Sequence, residues 1–242
     1  MNVKFIIEYK GTNYSGWQIQ KTDITIQGEL KKAFEILFPD ENINIIGSGR
    51  TDAGVHSIGQ VASILLPENI DLSQVFKSIN GIIPNDIHIK EYTIVDSSFN
   101  ARYSAKYRLY KYYIRNSFSP FHTDTTWHIR DSINYSLLES CADLLKGEHD
   151  FSTFSKNNPD IINKKCFIYE SFWRKDNNEL IYTIKANRFL HHMVRFIVGT
   201  SIEVAKSKIM TNEFIQMINN CSSKSPICAP PKGLFLCEVL YD

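Results

Sequence analysis

The sequence has no apolar run approaching the roughly 18–20 residues that a membrane helix needs. Nor does Met1 open a basic n-region, an apolar h-region and a cleavage site in that order, so no secretory leader and a cytoplasmic protein are expected. Paired cysteines are lacking too. The five present (Cys141, Cys166, Cys221, Cys228 and Cys237) are odd in number and none is spaced C-x-x-C. That argues against a disulfide framework and against a zinc–thiolate site. There is no excess of one charge: 27 Lys and Arg stand against 26 Asp and Glu, a net charge of +1. Such a balance does not announce a nucleic-acid binder, but a neutral total can hide a basic cleft. Low-complexity tracts are also missing.

What is present is ordinary for a globular protein: 242 residues, 43% hydrophobic and 22% charged. That is enough for one large domain or two modest ones. Val3, Phe5 and Ile7 alternate with Lys4, Ile6 and Glu8, a strand pattern. Gly11 to Gln20 is a Gly-rich loop. Ile26, Leu30, Ala33, Phe34 and Leu37 form a helical stripe, with Thr25 as an imperfect start signal. Short strands follow at Asn44–Gly47 and Val61–Leu66, then a helix at Leu72–Ile79 capped by Asp71, then a strand at Ile87–Val95. This β–α–β–β–α–β order is the split, ferredoxin-like arrangement.

Beyond residue 100 the alternation continues less clearly. A long strand is expected from Tyr103 to Arg115 and a helix from Ile133 to Leu145. Two strands flank Asp176–Asn178, and helices follow near Phe189–Lys206 and Asn212–Ile218. Gly233–Tyr241 closes the chain as a strand, and Asn157–Lys165 is a polar loop. The expected fold class is α+β: two ferredoxin-like-type α/β domains, residues 1–102 and 103–242, with mainly antiparallel sheets forming a central cleft.

Three stretches carry candidate chemistry. In GSGRTDAGVHSIGQ, Gly47–Gln60, four glycines surround Arg50, Asp52 and His56. The run lacks the G-x-G-x-x-G order and the Lys-Ser or Lys-Thr of a nucleotide loop. A tight turn in which Asp52 bonds its own backbone is one reading. A positioned carboxylate kept ionised by Arg50 is the other, and such a group can act as nucleophile or base. In FNARYSAKYRLYKYYIR, Phe99–Arg115, period two places Arg102, Ser104, Lys106, Arg108, Tyr110 and Tyr112 on one face. Cations interleaved with phenol rings suit RNA, phosphates meeting the cations and unpaired bases the rings. In NRFLHHMVRFIVGT, Asn187–Thr200, a helix would gather His191, His192 and Arg195 on one side. Adjacent histidines are not at i, i+4 and have no third ligand at a recognisable spacing, which argues against a metal. Arg195 is a cation among apolar turns and calls for a partner, for which Asp52 is a candidate.

Together these stretches resemble the TruA family of tRNA pseudouridine synthases, and the resemblance covers nearly the whole chain. GRTDAGVHSIGQV is similar to that family's signature, with Asp52 at the catalytic aspartate. FNARYSAKYRLYKYYI is similar to its second motif, with Tyr110 at the active-site tyrosine. FLHHMVRFIVGT resembles the helix that presents an arginine, here Arg195, to that aspartate. EYKGTNYSGWQIQ, GEHDFSTF and GLFLCEVLY match in order. Lys10, Ile19 and Asn100 depart from the usual aspartate, arginine and histidine; of these, Ile19 removes one expected contact to the RNA backbone.

The resemblance implies isomerisation of uridine to pseudouridine in the anticodon stem-loop of tRNA, at uridines 38–40. It implies no cofactor, no metal, and a homodimer whose two subunits share one tRNA. Asp52 would be the catalytic carboxylate. Attack at C6 of the base, attack at C1′ of the sugar and proton abstraction at C2′ all fit it. Substrate binding would fall to Tyr110, Arg50, Arg195, His56, Arg102, Lys106 and Arg108. Two rivals rest on the residues alone: a non-catalytic RNA-binding module, and a metal-dependent hydrolase using Asp52, His56, His191 and His192.

Overall fold

The computed structural model describes residues 1–241; the last residue of the expected second domain, 242, lies outside them. The chain divides into two compact units: Met1–Lys106 together with Phe235–Asp242, and Tyr107–Leu234.

In the first unit, β1 (Asn2–Tyr9), α1 (Ile26–Leu37), β2 (Ile45–Gly47), β3 (His56–Leu65), α2 (Leu72–Ile82) and β4 (Ile87–Val95) follow one another. β1 lies between β3 and β4 and is antiparallel to both. β2 pairs antiparallel with the far half of β3. The resulting order β4-β1-β3-β2 is the ferredoxin-like one. Period two on β1 sends Val3, Phe5, Ile7 and Tyr9 to the buried face. There Phe5 meets Phe34 of α1 and Phe76 of α2, with ring centroids 5.9 and 5.7 Å away. Both helices begin where their caps dictate. The Thr25 hydroxyl accepts from the Gly28 N–H, and the Asp71 carboxylate from Ser73 and Gln74.

The second unit contains β5 (Tyr107–Arg115), β6 (Trp127–His128), α3 (Tyr135–Asp143), β7 (Gly147–Asp150), β8 (Lys165–Asp176), β9 (Glu179–Ala186), α4 (Met193–Ala205) and α5 (Thr211–Ile218). Its long strands neighbour one another as β5-β9-β8-β7, all antiparallel, and β6 adds a short parallel pairing to the end of β5. Leu138 and Cys141 of α3, Ile197, Val198 and Ile202 of α4, Phe214 of α5 and Tyr182 and Ile184 of β9 are buried in its core. Residues 156–164 hold neither helix nor strand. The whole is α+β with mainly antiparallel strands.

Several expectations need correcting. The strand expected at 61–66 begins five residues earlier, so the second half of the glycine motif is sheet. The strand expected from Tyr103 begins at Tyr107, because the Asn100 side chain accepts from the N–H groups of Arg102 and Tyr103 and folds that stretch into a turn. Tyr110 and Tyr112, assigned to an RNA-facing surface, are buried with Ile114 on the core face of β5. The helix expected from Phe189 begins at Met193, since His192 takes a left-handed conformation at φ 63° and stops helical propagation there. The final strand, β10 (Leu234–Leu240), was expected in the second domain. Phe235–Asp242 cluster instead with the first unit, where β10 runs parallel to β3 with Phe235 opposite His56 and Leu236 opposite Ser57. A pairing across that sequence distance leaves no local pattern to read.

Candidate active site

Asp52 sits half-buried on the loop between β2 and β3. Ser48 opens the loop by donating its N–H to the Val61 carbonyl at 2.8 Å and its hydroxyl to Gln60 Oε1 at 2.6 Å. The Gln60 amide then donates to the Gly49 carbonyl at 3.0 Å. Gln60 is wholly buried, so its side chain acts as an internal peg for the loop's first half. The Asp52 carbonyl accepts the Val55 N–H at 3.1 Å and closes a turn through Gly54, whose φ of 76° favours glycine.

A second loop, Gly11–Trp17, grips the first. The Trp17 N–H donates to the Thr51 carbonyl at 3.1 Å, and the Gly54 N–H donates to the Tyr14 carbonyl at 3.3 Å. The Thr51–Asp52 peptide and the Ala53–Gly54 peptide are thus both held from outside the loop, and the Asp52 carbonyl is held within it by Val55. Gly16, at φ 92°, passes so close that a Cβ there would lie 2.5 Å from the Thr51 carbonyl oxygen. The Trp17 ring fills the space above Gly47, where a Cβ would lie 2.5 Å from it. The buried Tyr9 hydroxyl shares a 2.8 Å hydrogen bond with Thr51 Oγ1. Burial raises the Tyr9 phenol far above its ordinary value, so it stays protonated. The carbonyls of Gly16 and Trp17 accept the first N–H groups of α1, which ties the gripping loop to a helix end.

His56 stands beneath the loop and is 1% exposed. Its Nδ1 accepts the Gly11 N–H at 3.0 Å, and its ring stacks on Phe235 with centroids 4.6 Å apart. A ring so enclosed supports the loop. Arg50, by contrast, is exposed, as are Arg102 and Lys106. Arg102 places its guanidinium 5.4 Å from the ring of Tyr103, itself exposed.

In the second unit, Tyr110 lies opposite Ile184 on β9 and meets Phe189 edge-on, centroids 5.0 Å apart. Arg108 donates to the Asn187 carbonyl at 2.9 Å and fastens the segment that carries Phe189. The Asn187 side chain accepts the Phe167 N–H at 2.9 Å, and its own N–H donates back to the Phe167 carbonyl. Arg195 occupies the first turn of α4, where the helix dipole disfavours a cation. It is retained by a reciprocal pair of bonds: its Nε donates to the Ala229 carbonyl at 2.9 Å, and the Ala229 N–H donates to the Arg195 carbonyl at 3.0 Å. Next to that strap, the Tyr112 hydroxyl donates to the Pro230 carbonyl at 2.7 Å. Burial pushes the Tyr112 phenol well up, with the Arg195 charge opposing.

Sequence reasoning missed Tyr9, Tyr14, Trp17 and Thr51 as parts of the site, and Phe189 as the neighbour of Tyr110. Two signals were available: the EYKGTNYSGWQIQ stretch that holds Tyr9, Tyr14 and Trp17, and Gly16 within it. A glycine directly before a large aromatic in a short loop marks a close backbone approach.

Comparison with known proteins gives this arrangement its class. Residues 5–104 and 141–242 match the family model described as tRNA pseudouridine synthase. The chain is 41% identical over 249 residues to tRNA pseudouridine synthase A of Dictyoglomus thermophilum, covering 100% of both chains. It is 42% identical over 247 residues to the protein of that name in Dictyoglomus turgidum, covering 99% of each. For that of Thermoanaerobacter sp. the identity is 37% over 243 residues, again 99% of each. The chain therefore belongs to the tRNA pseudouridine synthase family. Among the described residues, no helix is long and apolar enough to cross a membrane.

Proposed function

We propose that this protein isomerises uridine to pseudouridine in the anticodon stem-loop of tRNA, at uridines 38–40, with Asp52 as the reacting carboxylate. The observation that supports this reading is the bracketing of Asp52: hydrogen bonds from Trp17 to the Thr51 carbonyl and from the Gly54 N–H to Tyr14 hold the turn on both sides of one half-buried acid on a glycine loop. Family membership supplies the reaction. In it the N1–C1′ bond breaks, the uracil turns, C5 joins C1′, and the C5 proton leaves while N1 regains one. Atoms balance with no redox change. The target base has to leave its stack, at a cost of a few kcal/mol.

The remaining roles belong to the same proposal. Asp52 contacts the nucleoside. Tyr110 offers an enclosed ring edge and a hydroxyl for the flipped uracil and for removal of the C5 proton. Arg195 supplies positive charge from a fixed helix end, and exposed Arg50 handles the displaced base. Arg102 and Lys106, both exposed, meet phosphates. Arg108 fastens the segment at Asn187, and His56 supports the peptide at Gly11. The enzyme works as a homodimer in the cytoplasm, where its five thiols stay reduced.

Release of tritium from tRNA labelled at uridine C5 is the test. Release with wild-type protein, mapped to the anticodon stem-loop, supports the reading. Tight tRNA binding with no release would replace it with the non-catalytic RNA-binding module. Sedimentation as a monodisperse monomer would overturn the dimer.

A further inference from the structure

The Gly11–Trp17 loop that grips Asp52 is itself anchored, and the anchor is a second carboxylate. Asp86 lies half-buried between α2 and β4, at the foot of the strand that pairs Ile87 with Tyr9 of β1. It holds the gripping loop at two points and the residue that precedes it at a third. Its backbone carbonyl accepts the Lys10 N–H at 2.9 Å. One carboxylate oxygen receives the Asn13 amide at 3.5 Å, and the other receives the Tyr14 hydroxyl in a short bond. Tyr14 is 6% exposed, and its own carbonyl is the acceptor for the Gly54 N–H. One residue thus links Asp86 at its phenol end to the turn carrying Asp52 at its backbone end.

We propose that Tyr14 and Asp86 form a positioning pair that sets the placement of the Asp52 carboxylate. The proposal rests on the reading of Asp52 as the reacting group. The physical need is clear from the loop's composition. Glycines at 47, 49 and 54 make the catalytic loop costly to order, and reacting atoms misplaced by about 1 Å can lose on the order of a hundredfold in rate. The brace is suited to the task. A phenol donating to an ionised carboxylate makes a charge-assisted bond, roughly twice as strong as a neutral one. Burial, and then the bond to Asp86, push the Tyr14 phenol far above its usual range, so the donor persists at any working pH. Neither side chain touches the nucleoside; both act through the Gly54 peptide.

The test combines turnover with a readout independent of catalysis. In Tyr14→Phe, Asp86→Ala and the double variant, kcat for tritium release should fall ten- to a hundredfold. KM for tRNA should stay within about twofold, and the double variant should be no slower than the worse single one. Asp86→Asn keeps an acceptor for the phenol and should recover part of the rate. Hydrogen exchange at the Gly54 and Trp17 amides should accelerate in Tyr14→Phe without global unfolding. Wild-type turnover in Tyr14→Phe, a change confined to KM, or additive losses in the double variant would overturn the pair. Failure of the wild type itself to release tritium would overturn the functional reading instead, and the exchange measurement would still report on the brace.

Discussion

The Gly11 N–H points at Nδ1 of His56, 3.0 Å away, and so fixes the tautomer of a histidine that the signature motif carries. An acceptor nitrogen has no proton, so the neutral ring bears its hydrogen on Nε2. Replacing His56 with alanine leaves the Gly11 N–H without that acceptor and removes the ring stacked on Phe235. We expect a loss of about 1–3 kcal/mol of stability from the orphaned donor alone. His56→Asn, whose Oδ1 can stand in for Nδ1, should recover part of it in urea denaturation. With the ring 1% exposed, tRNA affinity should not change in His56→Asn. A clear loss of affinity in a stably folded variant would return His56 to the RNA interface.

Asp52→Asn is nearly isosteric and leaves in place the backbone hydrogen bonds that Thr51, Asp52 and Gly54 make with Trp17, Val55 and Tyr14. Folding and tRNA binding should survive while pseudouridine formation is abolished. Full activity in this variant would sink the assignment of the reacting carboxylate.

Gly16 and Gly54 both have positive φ, and Gly16 also lacks room for a Cβ. Gly16→Ala should cost about 1–3 kcal/mol through strain and displacement of Thr51, and turnover should drop with it. Gly49→Ala is the control, because a Cβ there meets nothing within 4 Å. Thermal melts and turnover of the two variants side by side decide the matter; equal behaviour would mean that the close approach to Thr51 has no consequence.

Two thiols give a pH dependence. Burial pushes Cys141 up to about 12 and Cys166 up to about 11, from an ordinary value of 9.0. The unfolded chain therefore loses these protons first as pH rises, and by linkage the folded state weakens above about pH 9. Below that both states hold the protons and the groups contribute nothing to the slope. Native alkylation at pH 8 should modify exposed Cys221 and spare Cys141 and Cys166, as peptide mass mapping would reveal. Rapid labelling of Cys141 without unfolding would contradict its enclosure.

The sequence made some layers of this structure easy to read and others invisible. Period two on β1, the helical stripe of α1 and the caps Thr25 and Asp71 are local signals, and each element appears where its pattern lies. The ferredoxin-like order of the first unit follows from that succession of elements. Capping and backbone conformation decided where the patterns misled. Asn100 ended the apparent strand through Arg102 and Tyr103, and left-handed His192 cut four residues from the apparent helix. Asp52, Tyr110 and Arg195 stood out as chemistry in short motifs. Tyr14 and Asp86 did not, because 72 residues separate them and each alone looks like ordinary surface. The burial of Tyr110 was hidden for a related reason: alternation tells which residues share a face, and not what covers it, here Phe189 from far along the chain.

The parallel pairing of β10 with β3 also sets an order in time. Ser57, two residues beyond Val55 on the strand that follows the Asp52 loop, donates its hydroxyl to the Leu236 carbonyl across 179 positions of sequence. His56 stacks on Phe235. A growing chain has made Asp52 long before it makes either partner. The floor beneath the loop is laid only once β10 has been made, so a nascent chain carries Asp52 without that floor until then.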